Sequence, residues 1–174
     1  MRELILRNRQ RLRTVHSRSL RRITASLLDD ALGLADYSLG IHLVGAREIA
    51  RLNRQFLGHP GSTDVISFDH TGAPGDPASR PDDRNTPSPR IHGEIFICLD
   101  EAVSQARRFR ATWQAELVRY LVHGVLHLLG FDDAAPAARR AMKREEGRRM
   151  RFLAGRFGFE ILSRRRKRSR GSRR

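Results

Sequence analysis

Two periodicities run along this chain. Glu3–Arg7 reads Glu-Leu-Ile-Leu-Arg, a short apolar run that predicts a first strand. Between residues 17 and 32, Leu20, Ile23, Leu27, Leu28 and Leu32 fall at helical spacing, and Gly33 can end that helix. Leu39, Ile41 and Leu43 alternate, which predicts a strand over 37–44. Ile49, Leu52 and Phe56 mark a second amphipathic helix over 46–56, and Asp64–Phe68 reads as another strand. Ile91–Leu99 is nearly continuous at Ile95, Phe96 and Ile97, the pattern of a central strand, and a helix over Asp100–Phe109 follows. Leu117–Leu129 is the most apolar stretch. Its apolar residues lie all round, so it is a buried helix, ended by Gly130. Pro136 opens a last helix to about Leu153, with Ala138, Met142, Met150 and Leu153 towards its apolar side. Its other faces are strongly basic, with Glu145 and Glu146 interspersed.

Two stretches carry neither period. Residues 70–90 hold five of the seven prolines (Pro74, Pro77, Pro81, Pro87, Pro89) among Gly, Ser, Asp and Arg. That composition predicts a flexible loop inside one domain, because the strands on either side need each other. Residues 163–174 have no apolar anchor and are expected to be a disordered Arg-rich tail. The expected fold is an α+β single domain over residues 1–162. About four strands form a small mixed sheet, packed by about five helices.

Composition narrows the class. The chain has 174 residues, enough for one domain with a real core, and a hydrophobic fraction of 39% excludes a wholly disordered chain. No apolar run approaches the roughly 18 residues of a membrane span, and the N-terminus lacks the apolar segment of a secretory signal. Cys98 is the only cysteine, which excludes an internal disulfide, a zinc finger and a Cys-based cluster. No membrane partner and a cytoplasmic location are expected.

The net charge is +15, but it is unevenly placed. Residues 1–22 carry eight Arg and one Glu, for +7, and residues 163–174 carry seven Arg and one Lys, for +8. The span 23–162 holds 18 basic and 18 acidic residues, for zero. Basic ends suit a polyanionic partner or remain simply solvated; charge alone does not choose between RNA, DNA and an acidic membrane.

The chemistry concentrates in the buried helix. His123 and His127 stand at i, i+4, so both imidazoles share one helix face about a turn apart, which suits two ligands of one metal. Burying two histidines in an apolar segment is costly unless each has a partner. Gly130 lets the chain turn back, and Asp132 and Asp133 follow at once. Two imidazoles and a carboxylate form a three-ligand site with a position left for water or substrate, and zinc is the default ion. Gly124 occupies the place of the general-base Glu in the helix motif of zinc proteases, which weakens a protease reading. Glu94 is a possible extra acid or base, though packing at a strand start is the plainer role. Trp113, at a helix start, reads as a core anchor.

These residues carry a resemblance. His123–Asp133, His-Gly-Val-Leu-His-Leu-Leu-Gly-Phe-Asp-Asp, is similar to the signature H-G-x-L-H-L-x-G-[YF]-D-H of the YbeY family of bacterial metallo-endoribonucleases, the rRNA maturation factors. Leu52–Phe68 resembles the family's L-N-x-x-[YF]-R-x-x-x-x-x-T-[DN]-V-L-S-F, and Gly93–Cys98 resembles G-D-[IL]-x-I-[SC]. The three motifs occur in order. The resemblance implies one Zn2+ per chain, held by His123, His127 and Asp133, with Asp132, which matches the family's Asp, as the group that orients a ligand or is itself the third ligand, and with no small-molecule cofactor. It implies cleavage of single-stranded RNA, maturation of the 3′ end of small-subunit rRNA, ribosome quality control, and the ribosome or its small subunit as partner. Two departures stand out. Asp133 replaces the third His, which makes the site more negative by one charge and the metal a weaker Lewis acid. Leu57 replaces the Arg that lines the family's cleft, and His59 is the candidate to supply its charge or to act as an acid or base. The alternative is a non-catalytic ribosome-assembly factor that binds RNA and keeps a structural metal.

Overall fold

The computed structural model describes residues 1–72 and 90–163. The expected Pro-rich loop therefore falls almost wholly outside the described residues, as does the Arg-rich tail beyond Ser163. Four strands form one mixed sheet: β1 (Arg2–Asn8), β2 (Asp36–Val44), β3 (Val65–Asp69) and β4 (Arg90–Cys98). The order is β1-β2-β4-β3. β1 and β4 pair parallel with β2, and β3 pairs antiparallel with β4. Five helices pack on it: α1 (Ser17–Ala25), α2 (Ala46–Leu52), α3 (Leu99–Phe109), α4 (Trp113–Leu128) and α5 (Pro136–Arg156). This is the expected α+β architecture, and β4 is the interior strand that its unbroken apolar run predicts.

Alternation along the strands makes two cores. Leu39, Ile41 and Leu43 of β2 and Ile91, Ile95 and Ile97 of β4 point to one face, where α4 covers them. Val44, Ile66, Phe96 and Cys98 point to the other face, under Ile49 and Leu52 of α2. The helices α2 and α4 thus lie on opposite sides of the sheet. Contact between α4 and the sheet is close at two glycines. A Cβ on Gly124 would stand 2.7 Å from Ile95 Cγ2, and one on Gly93 would stand 2.9 Å from Leu128 Cδ2.

Three boundaries differ from the periodicity. Helix α4 begins at Trp113, ahead of the apolar run, because Thr112 caps it by accepting from the Ala115 N–H at 3.2 Å. Trp113 packs against the main core. The helices expected over 17–32 and 46–56 both finish in wider π turns, Ser26–Ala31 and Asn53–Leu57. A 3-10 turn at Phe159–Leu162 closes the core with the fully buried Leu162, and the Leu162 carbonyl accepts from the His16 N–H at 2.6 Å.

Candidate metal centre

His123 and His127 occupy the last two turns of α4, and their Nε2 atoms are 3.0 Å apart. Each ring is fixed from its far side. His127 Nδ1 lies 3.0 Å from the Phe131 carbonyl oxygen, which can only accept, so Nδ1 carries the proton. His123 Nδ1 lies 3.2 Å from Glu146 Oε2 on α5, and an ionised carboxylate likewise only accepts. In their neutral forms both imidazoles therefore turn a bare Nε2 to the same point. Burial opposes a charge on His123. The hydrogen bond and charge of Glu146, then Asp64 and Asp133, outweigh burial and hold the His123 pKa above the ordinary imidazole value.

Local turns bring the third group in. Helix α4 ends with the Gly130 N–H bonded to the His127 carbonyl at 2.9 Å and the Phe131 N–H bonded to the Leu126 carbonyl at 3.0 Å. Gly130 takes φ +86°, a left-handed conformation that side chains disfavour. The chain then reverses. Asp132 Oδ1 accepts from the N–H groups of Asp133 (2.8 Å) and Ala134 (3.1 Å), so its carboxylate shapes the turn. Asp133 points inward, with Oδ2 3.8 Å from His123 Nε2. Arg139 of α5 holds the Asp133 carbonyl at 3.0 Å. One ligand atom each from His123, His127 and Asp133 lies within 4.8 Å of the others. Two bare imidazole nitrogens and a carboxylate form a donor set that suits a borderline divalent cation.

The surroundings are anionic and braced. Glu146 also accepts from Arg119 at 3.0 Å, and Arg119 approaches the buried Glu116 at 3.5 Å. Burial opposes the Glu146 charge, but the hydrogen bonds from His123 and Arg119 prevail and keep its carboxyl below the usual range. The Ser67 hydroxyl of β3 donates to the Gly124 carbonyl at 3.2 Å, which ties the edge strand to α4 beside both histidines.

The model of the family described as Endoribonuclease YbeY matches residues 5–154. The chain belongs to the YbeY family. A YbeY endoribonuclease from Anaeromyxobacter sp. (strain Fw109-5) is 43% identical over 130 residues, which cover 75% of this chain and 61% of that one. Another, from Chlorobium phaeovibrioides, is 37% identical over 109 residues, covering 63% and 64%. A third, from Chlorobium luteolum, is 34% identical over 139 residues, covering 76% and 90%. The chain thus spans about three-fifths of the length of the first two relatives and nearly all of the third. A solution structure from Thermotoga maritima shares the fold, with a TM-score of 0.61 at 22% identity over 98% of this chain and 99% of that one.

Other residues singled out in the YbeY motifs lie apart from the cluster. His59 is exposed; its backbone N–H bonds the Asn53 carbonyl at 3.4 Å, and its imidazole makes no hydrogen bond or ion pair among the described residues. Leu57, in the place of the family Arg, ends the π turn after α2 and is 51% exposed. Glu94 faces away from α4: its Oε1 lies 2.8 Å from His42 Nε2 and its Oε2 lies 3.4 Å from His70 Nε2, across the sheet. Periodicity singled out none of Glu146, Asp64, Arg119 and Arg139. The only sequence signal for Glu146 was an acid embedded in a strongly basic helix.

Proposed function

We propose that this protein is a metal-dependent endoribonuclease specific for single-stranded RNA. In this reading it acts in the cytoplasm, on the 3′ end of small-subunit rRNA and in ribosome quality control. One zinc ion per chain is held by His123, His127 and Asp133. The observation that carries the reading is the convergence of these three ligand atoms within 4.8 Å, with both Nδ1 positions already engaged.

A metal bound there supplies Lewis acidity to a phosphodiester and to water. The protein's own groups do the rest. The Phe131 carbonyl and the Glu146 carboxylate hold the Nδ1 protons, which orients both rings and raises their basicity. Arg119 holds Glu146 in place. The turn shaped by Asp132 and gripped by Arg139 sets the position of Asp133. We assign His59, on the exposed loop that leads to Asp64, as the candidate acid–base group. Replacing it with Ala should lower the rate while leaving the metal bound.

One observation favours the non-catalytic RNA-binding reading: Leu57 puts an exposed apolar side chain where the family has a cation. Metal analysis followed by a nuclease assay separates the two readings. Highly purified wild type should contain metal and cut single-stranded RNA, and His127→Ala should lose both. Metal-replete wild type that cuts no RNA would leave the assembly-factor reading standing.

A further inference from the structure

The neutral total of residues 23–162 hides a separation of charge. Helix α5 holds eight basic and two acidic residues, for +6, so the rest of that span carries −6. Four of the eight cations are engaged. Arg139 grips the Asp133 carbonyl, Arg148 and Arg149 pair with Glu145, and Arg156 pairs with Asp30. The other four, Arg140, Lys143, Arg144 and Arg151, are exposed and make no ion pair or hydrogen bond among the described residues. Their spacing of 3, 4 and 11 residues from Arg140 puts them on one flank of the helix, over about 16 Å. One edge of the flank approaches the candidate metal centre: Lys143 stands one turn before Glu146, which touches His123, and Asp133 lies three residues before α5 begins.

We infer that this flank of α5 is the track on which a single-stranded RNA backbone lies as it reaches the His123–His127–Asp133 site. The inference rests on the RNA reading above. Like charges one turn apart repel along a helix, so the stripe costs stability in isolation, and a line of phosphates relieves that repulsion. None of the exposed large apolar residues lies on α5, so the helix lacks the apolar face that a membrane-lying helix buries. The flank also has no aromatic ring for stacking bases. Its contacts are therefore to phosphate and indifferent to sequence.

The test uses full-length, metal-stripped protein and a labelled single-stranded RNA, with affinity measured against salt concentration. Arg140→Gln, Lys143→Gln, Arg144→Gln and Arg151→Gln are combined, since Gln keeps helix propensity. Four lost phosphate contacts should flatten the log–log salt slope by about 2.8. Metal uptake and thermal unfolding should match wild type. If the quadruple variant is unstable, Arg140→Gln/Lys143→Gln and Arg144→Gln/Arg151→Gln should each remove about half of that slope. The control is Arg47→Gln/Arg51→Gln/Arg54→Gln, on α2 and the π turn that follows it, three exposed arginines with no ion pair or hydrogen bond among the described residues. It should keep the wild-type slope. An unchanged slope in the α5 variant, an equal loss in the α2 control, or wild type that binds anionic vesicles but no RNA overturns the track. A nuclease assay on metal-loaded protein separates the two readings. If wild type cuts no RNA yet the α5 slope loss is seen, the nuclease reading falls and the track stands. If wild type cuts RNA and the α5 variant matches it in both slope and KM, the track alone falls.

Discussion

At the scale of single residues, the centre depends on who holds each imidazole from behind. Glu146 is 23 residues from His123 and on another helix, yet it makes the bond that fixes that ring. Replacing it with Gln removes the charge that favours a basic His123, and the loss of such a partner typically weakens a metal site by about 10- to 100-fold. Competition with a chelator should read that weakening, and an unchanged affinity would show that Glu146 only packs. The same pair sets a pH dependence in the metal-free protein. The His123 pKa is raised, so its contribution to stability is full below the ordinary imidazole value and is lost as pH rises through the raised value. The Glu146 pKa is lowered, so its contribution is present above the ordinary carboxylate value and is lost as pH falls through the lowered value. Thermal unfolding of metal-free protein should therefore give a Tm that declines as pH rises above the ordinary imidazole value. His123→Gln should flatten that limb. His123, His127 and an acid of the next turn were legible in the sequence because one helix turn and one tight reversal place them together; that Asp133 rather than Asp132 groups with the histidines was not. Glu146 and Asp64 were not, because only tertiary packing brings them near.

At the scale of elements, the strands and the buried helix were legible because burial imposes period 2 on one and uniform apolarity on the other. Their ends depend on groups that hydrophobicity does not report. The Thr112 cap starts α4 early, and the wider turns after α1 and α2 follow no apolar signal. Gly124 shows how packing decides chemistry. Its place in the helix is where a zinc protease carries a glutamate, but α4 lies so close to β4 that even a methyl group would meet Ile95 at 2.7 Å. A glutamate there would meet the sheet, which gives the absence of that general base a physical reason. Gly124→Ala should destabilise the fold by about 1–3 kcal/mol through overpacking, offset in part by the roughly 1 kcal/mol that Ala gains in a helix. Chemical denaturation would measure it. A stabilised variant would mean that α4 can move off the sheet freely.

At the scale of the whole molecule, the sheet separates two sets of titratable groups. The candidate metal centre lies on the α4 side, and His42, Glu94 and His70 lie on the other. Charge is divided again along the sequence, where α5 carries +6 and the rest of residues 23–162 carries −6. The ends add a third layer, and its contribution can be isolated. Removing residues 163–174 takes away +8 and leaves a chain of +7. None of the three grouped ligands, and none of the groups bonded to them, lies in that segment. Metal content and the thermal transition should therefore survive the truncation, while RNA affinity falls and its salt dependence flattens. The residual slope then belongs to the first 162 residues, α5 included. Combining the truncation with the α5 substitutions should flatten the slope by the sum of the two separate changes, because well-separated phosphate contacts release counterions independently. A combined effect no larger than the truncation alone would mean that the tail holds the RNA and α5 never touches it. Loss of metal on truncation would instead tie the tail to the site itself.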